Sequence, residues 1–235
     1  MPQSDFLVIG SGVAGLLAAI KLSRSGTVNV VTKKSPGESN TNYAQGGIAA
    51  ALDPSDSADL HIRDTLAAGS GLCHEDVVGF VVRNAGARIE ELIDLGVGFT
   101  DEEAGDGRRL ALGREGGHSA KRIVHAMDYT GREIEQALLA RARASDRITF
   151  FENHIGIDLI LESKRRGHAA RPDRCWGAYA MDAGARAIEP FTARATVLAT
   201  GGAGRIHPHG APGSRDCVHP APQTGLEHVR VLLRR

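Results

Sequence analysis

The sequence predicts an α/β fold, a parallel sheet with a crossover helix that is extended by an antiparallel β-meander. Three observations predict it. A short apolar run from Asp5 to Gly10 ends in glycines and is followed by Leu16, Leu17, Ile20 and Leu22 at helical spacing, which reads as strand, tight turn and helix. Val28 to Thr32 is a second apolar, β-branched run of the kind buried in a parallel sheet, so it closes a βαβ unit. From Ile148 onward, short strand-like segments follow one another, as a meander requires.

Each element has its own signal. The first helix is expected to end at Gly26, acting as a C-cap. Residues 35–47 turn to Ser, Asn, Gly and Pro, the composition of a loop. Asp59 to Gly69 and Glu75 to Leu95 carry apolar residues at three-to-four spacing and predict two helices, with a hairpin or exposed loop after them from Thr100 to Arg109. Thr130 to Ala144 predicts another helix, with Thr130 as N-cap and Glu133 completing a capping box. Ile148 to Glu152 reads as a strand; Ile155 to Glu162, Cys175 to Met181 and Ala187 to Phe191 form the meander. The basic stretch Lys164 to Arg174 reads as a solvated hairpin, and Ala195 to Thr200 is a separate last strand that stops at Gly201-Gly202. Residues 1–204 are expected to form one domain. Residues 205–235, biased to Pro, His and Arg with little periodicity, are expected outside its core.

Bulk properties bound the function. With 235 residues and 42% hydrophobic content the chain can bury a sizeable core. Lys plus Arg and Asp plus Glu balance at 28 each, so no overall field favours nucleic acid or an anionic membrane. The three cysteines, Cys73, Cys175 and Cys217, are far apart, which argues against a disulfide framework or a metal site. No run approaches the roughly 20 apolar residues that cross a bilayer, and the N-terminus lacks the pattern of a secretory signal. The expectation is a soluble, cytoplasmic protein.

Gly10-Ser11-Gly12-Val13-Ala14-Gly15 gives the G-x-G-x-x-G spacing between strand and helix. Gly10 permits the tight turn, Gly12 lets backbone approach a pyrophosphate, and Gly15 lets helix and strand pack closely, while the helix N-terminus offers amide donors. The fold expected from this is Rossmann-like. The acidic residue that usually ends the second strand is replaced by Thr32, Lys33 and Lys34; a lysine there also suits an adenosine 2′-phosphate.

The segment Asn40-Thr41-Asn42-Tyr43-Ala44-Gln45-Gly46-Gly47-Ile48-Ala49-Ala50 resembles the flavin-contacting loop of the succinate dehydrogenase and fumarate reductase flavoprotein superfamily. Ala199-Thr200-Gly201-Gly202 resembles the superfamily's second cofactor-contacting turn. The resemblance implies FAD, with Gly10 to Gly15, Asn40 to Gly47, Thr200, Gly201 and Gly202 against it; Lys33 and Ile155 complete the implied contacts. Consecutive glycines suit close approach to a flat ring, and Gln45 offers donors to its polar edge. Asn40 stands where membrane-bound members carry the histidine that bonds covalently to FAD, so the implied attachment is non-covalent.

Narrower still, Asn42 to Ala50, Asp64-Thr65-Leu66-Ala67-Ala68-Gly69 and Arg114-Glu115-Gly116-Gly117-His118-Ser119 resemble the L-aspartate oxidase family. Glu115 discriminates: dicarboxylate dehydrogenases place an apolar residue before that Gly-Gly, whereas a glutamate would pair with the ammonium of an amino acid and repel succinate. The resemblance implies oxidation of L-aspartate to iminosuccinate, reoxidation by O2 or fumarate, the first step of NAD synthesis, and quinolinate synthase as a partner. Glu115 also reads as a surface acid beside a turn, and His118 as a satisfied polar residue or a ligand contact. Arg114 reads as an ion-pair partner, and His125 and His154 as structural. No catalytic base is assigned. The family's capping domain and its Asn-Pro and Thr-Gly-Asp-Gly phrases are not found after Gly202, so 205–235 is expected to be a non-native tail and turnover by the chain alone is not expected. The alternatives are a fragment of a fumarate reductase type flavoprotein, a non-catalytic flavin-binding module, or an unstable truncation product.

Overall fold

The computed structural model describes residues 1–104, 107–166, 173–202 and 230–233. In chain order the elements are β1 (Gln3–Ile9), α1 (Val13–Leu22), β2 (Val28–Val31), a 3-10 turn (Thr41–Tyr43), β3 (Ile48–Ala49), α2 (Ala58–Ala68), α3 (Glu75–Asp94), β4 (Asp101–Ala104), β5 (Gly107–Leu110), β6 (Leu112–Gly113), β7 (Ile123–Val124), α4 (Thr130–Arg143), β8 (Ile148–Phe151), β9 (His154–Leu161), α5 (Glu162–Arg166), β10 (Cys175–Asp182), β11 (Ala187–Leu198) and β12 (Arg230–Leu233). They fall into two units, residues 1–43 with 138–235 and residues 44–137.

The first unit is built on a seven-stranded sheet in the order β8-β2-β1-β11-β10-β9, with β12 paired to β11. β8, β2, β1 and β11 are mutually parallel, and β9 and β10 continue antiparallel. All four residues of β2 are buried, which accounts for its apolar, β-branched composition. The core gathers Leu7, Ile9, Val31, Ala178, Ala180, Phe191 and Ala193, with Phe151, Leu159 and Leu198 packed against it. Phe151 and Phe191 meet edge to face at 4.8 Å between ring centroids, and the His154 ring lies 5.7 Å and 5.8 Å from the two.

Several expectations for this unit need correction. The segments Ala187 to Phe191 and Ala195 to Thr200 are one strand, β11, not two. Thr192 pairs both with Gly177 of β10 and with Gln3 of β1, so the strand changes partner without a break. Burial alternates along 190–195 and becomes continuous at 195–197, and that change of pattern mimics a boundary. Likewise α1 is capped at Ser23, in ordinary helical geometry, rather than at Gly26. Gly26 is needed instead because a Cβ there would stand 2.5 Å from Asp5 Oδ2, which accepts from the Thr27 N–H at 2.9 Å.

The basic stretch after β9 begins as the single-turn helix α5 rather than a plain hairpin, with Lys164 Nζ 2.6 Å from Asp158 Oδ2; residues 167–172 lie outside the described residues. Most of the expected tail, 205–229, also lies outside them, while the backbone of 230–233 pairs antiparallel with β11.

The second unit holds a small antiparallel sheet, β3-β7-β6, the hairpin β4-β5 and the helices α2 and α3. Ser57 caps α2, its Oγ accepting from the Leu60 N–H at 3.1 Å. The capping box expected at the start of α4 does not form. Thr130 is already helical, and its Oγ1 accepts from the Ala126 N–H at 3.0 Å, while the Glu133 carboxylate accepts from the Gly98 N–H at 3.1 Å. The turn preceding the helix and a tertiary donor, Gly98, outcompete the local pair. Among the described residues no helix is long and apolar enough to cross a membrane.

Candidate cofactor and ligand site

In the first unit the predicted cofactor residues gather at the carboxyl ends of the parallel strands, where such sheets bind ligands. Gly10 has φ +111°, and a Cβ on it would collide with the Ala199 carbonyl oxygen. The first glycine turn and the Ala199–Gly202 turn therefore lie directly against each other. Gly15 packs against the Gly10 carbonyl, which leaves no room for a Cβ. Gly12 differs: its nearest neighbour would be Thr41 Oγ1 at 3.4 Å, an ordinary contact. Of the three, Gly12 is the one where a Cβ would meet only ordinary contacts, from the Thr41 and Ser39 side chains.

The N-terminus of α1 bears no acidic residue in its first turn and no side-chain cap at Gly12. Thr41 Oγ1 accepts from the Val13 N–H at 3.1 Å. This is a cradle suited to an anionic pyrophosphate, with a hydroxyl already beside the amides that would bind it. Ser11 behaves otherwise. Its side chain is buried and bonded to Thr32 Oγ1 at 3.0 Å and to the Pro36 carbonyl at 2.9 Å, so it clips the following loop to the end of β2. Thr32, the residue replacing the usual acid, is thereby committed to internal bonding. The His154 backbone N–H donates to the Thr32 carbonyl at 3.0 Å, and the next residues along, Ile155 and Lys33, are both exposed. Gly201, exposed with φ +72°, completes the rim with Thr200 and Gly202.

In the second unit Gln45, Gly46, Gly113, Arg114, Glu115, Ile123, His125, Met127, Asp128 and Tyr129 line a cavity of about 520 Å³. Ala44 to Gly47 are exposed, and a Cβ at Gly47 would collide with the Val124 carbonyl, so close packing on β7 fixes that glycine. Met127 adopts φ +46° and is 80% exposed. Glu115 is exposed and stands on a turn after β6. Within the turn Arg114 Nε donates to the His118 carbonyl at 2.8 Å and His118 N–H to the Glu115 carbonyl at 3.2 Å. Arg114 thus braces the turn through its backbone, rather than pairing with an acid as expected.

One cluster was not anticipated from the sequence. Arg122 is fully buried and forks onto Asp56, Nε to Oδ2 and Nη2 to Oδ1, both at 2.9 Å. Its Nη1 donates to Asp64 Oδ2 at 2.8 Å. The same oxygen accepts from the Ser119 N–H at 2.8 Å and the Ser119 hydroxyl at 2.7 Å. Ser119 first, and Arg122 after it, hold the Asp64 carboxyl down at about 2. His61 lies near, its ring 5.9 Å from that of His118, and burial followed by the charge of Arg122 pushes its imidazole below the ordinary value. The signal available in sequence was the Asp64 phrase, which marked resemblance without disclosing a partner.

The chain matches the model of the FAD binding domain family over residues 5–232. It belongs to that family. The cofactor of the glycine cradle is accordingly FAD, and the lack of a Cβ at Gly12 together with an α1 N-terminus that carries no acidic residue fits its pyrophosphate. A relative from rice, the chloroplastic L-aspartate oxidase, is 48% identical over 204 residues, 87% of this chain and 30% of the relative. The L-aspartate oxidase of Vibrio cholerae is 44% identical over 207 residues, 87% of this chain and 38% of the relative. Among solved structures, an E. coli quinol fumarate reductase superposes with a TM-score of 0.75 at 31% identity, covering 88% of this chain and 34% of that one. The chain therefore spans about a third of the length of these proteins. The rice relative is chloroplastic, which overturns the expectation of a cytoplasmic location. Unpaired cysteines report redox conditions and carry no address.

Proposed function

We propose that residues 1–204 are the FAD-binding part of an L-aspartate oxidase, which oxidises L-aspartate to iminosuccinate with O2 or fumarate as the final acceptor. Bound FAD supplies the two-electron acceptor for hydride loss from the substrate α-carbon. The chain's own residues do the rest of what is proposed here. Gly12 and the α1 N-terminus hold the pyrophosphate, with Thr41 beside them. Asn40, in place of the attachment histidine, leaves the cofactor non-covalently bound.

The observation that carries the substrate reading is Glu115, an exposed carboxylate on the cavity that Gln45 and Gly46 also line. A carboxylate there attracts the substrate ammonium and repels a dicarboxylate that lacks one. No lining residue is assigned as the base that takes the amino proton, so the chain is proposed to bind L-aspartate rather than turn it over alone. Iminosuccinate is the substrate of quinolinate synthase in the pathway to NAD, which makes that enzyme the proposed partner.

The test is titration of the FAD-loaded chain, followed by flavin absorption. L-Aspartate is expected to perturb the spectrum at lower concentration than succinate. Equal responses, or a preference for succinate, would support the second reading, a fumarate reductase type flavoprotein, which the 31% identity and TM-score of 0.75 to the E. coli enzyme favour.

A further inference from the structure

Arg122 does not line the cavity, yet a fully buried guanidinium is costly unless its partners are well placed. Strand neighbours alternate between faces, and on β7 it is Ile123, and His125 just beyond it, that face the cavity. Arg122 and Val124 therefore point to the back of the same small sheet. The Arg122 N–H donates to the Gly113 carbonyl at 2.9 Å, and the Ala50 N–H donates to the Arg122 carbonyl at 2.8 Å, so its backbone is fixed in that sheet.

Between Gly113 and Arg122 the chain leaves the sheet to make the Glu115 turn. Gly116 and Gly117 have no side chains to anchor it, and Gly117 stands at φ +84°. The Arg114 and His118 backbone bonds close the turn on itself, and the His118 ring meets the His61 ring of α2 edge to face at 5.9 Å without a hydrogen bond. Its far end is held at Ser119, whose N–H and hydroxyl both donate to Asp64 Oδ2. Asp64 projects from α2, and its own orientation is set by Arg122, which the Asp56 fork locks from the other side.

We infer that Asp64 is a positioning residue for Glu115: braced by Arg122, its carboxylate fixes the Ser119 end of the turn and so sets where the Glu115 carboxylate stands in the cavity. The inference rests on the reading of Glu115 as the partner of the substrate ammonium. It assigns the three-way acceptor Asp64 Oδ2 to ligand discrimination, acting through the turn without touching the ligand.

Two measurements on the FAD-loaded chain test it, amide hydrogen exchange across 114–119 and flavin-monitored titration with L-aspartate and with succinate. Asp64→Asn is expected to speed exchange of the turn about tenfold or more while leaving β7 and FAD affinity unchanged. It should weaken L-aspartate about tenfold and succinate not at all. Ser119→Ala, which removes one donor from an exposed residue, should give a smaller change in the same direction and keeps the test available if Asp64→Asn folds poorly. Glu115→Gln with Asp64→Asn should be no weaker for L-aspartate than Glu115→Gln alone. Unchanged exchange in both the Asp64→Asn and Ser119→Ala chains, or equal weakening of both ligands, would overturn the inference. If Glu115→Gln leaves the preference for L-aspartate intact, the reading of Glu115 fails, and the exchange measurement still decides whether Asp64 holds the turn.

Discussion

At the residue scale the three glycines of the first turn are not equivalent. Gly10 is confined by φ +111° and by the Ala199 carbonyl, so Gly10→Ala should cost about 1–3 kcal/mol of stability together with FAD binding. Gly12→Ala meets only ordinary contact at 3.4 Å. It should melt within about a degree or two of the parent while FAD affinity falls roughly tenfold or more, since the methyl occupies the approach of the pyrophosphate. Thermal melting and flavin titration of the two variants separate the roles. Arg122→Met strands Asp56, whose side chain is fully buried, and should destabilise by about 3–5 kcal/mol in urea denaturation. Asp64 adds a pH signature. Its folded pKa, about 2, lies below the ordinary 3.8, so its stabilisation is fully present above about pH 4 and is lost as the pH falls through 2. Urea midpoints should fall more steeply from pH 4 to pH 2 in the parent than in Asp64→Asn; equal slopes would mean that the carboxyl is not held.

At the element scale β11 joins the two halves of the main sheet, parallel to β1 on one side and antiparallel to β10 on the other. Its partner change falls at Thr192, opposite Gly177, where β10 stands at φ +138° and a Cβ would collide with the Phe191 carbonyl. Gly177→Ala should therefore destabilise the first unit, by about 1–3 kcal/mol. The opposite sign is expected at Gly86, midway along α3. A Cβ there meets Leu52 Cδ2 at an ordinary 3.4 Å, and the helix gains propensity, so Gly86→Ala should stabilise by about 0.5–1 kcal/mol. Chemical denaturation reads both changes.

At the scale of the whole molecule, membership of the FAD-binding domain family and a length about a third of its oxidase relatives separate what the chain holds from what it is proposed to serve. Non-covalent attachment predicts that acid precipitation of the loaded protein leaves all the flavin in the supernatant. Flavin that stays with the pellet would contradict the reading of Asn40.

Sequence by itself determined the glycine cradle and the βαβ unit, because close backbone approach and parallel-strand burial impose residue types that are read locally, Gly at 10, 12 and 15 and the apolar run at 28–31, while the cofactor class followed from the resemblance carried by residues 40–50 and 199–202. It also singled out Glu115 and the phrase containing Asp64. Tertiary structure alone decided that Ala187 to Leu198 is one strand, since strand continuity depends on which neighbours supply its hydrogen bonds. It likewise decided that Glu133 bonds Gly98 and not its own N-cap. The Arg122 cluster is the strongest case. Its members lie as far as 66 residues apart in sequence, and a charged residue reads as exposed until the fold brings two carboxylates to a guanidinium that has lost its water.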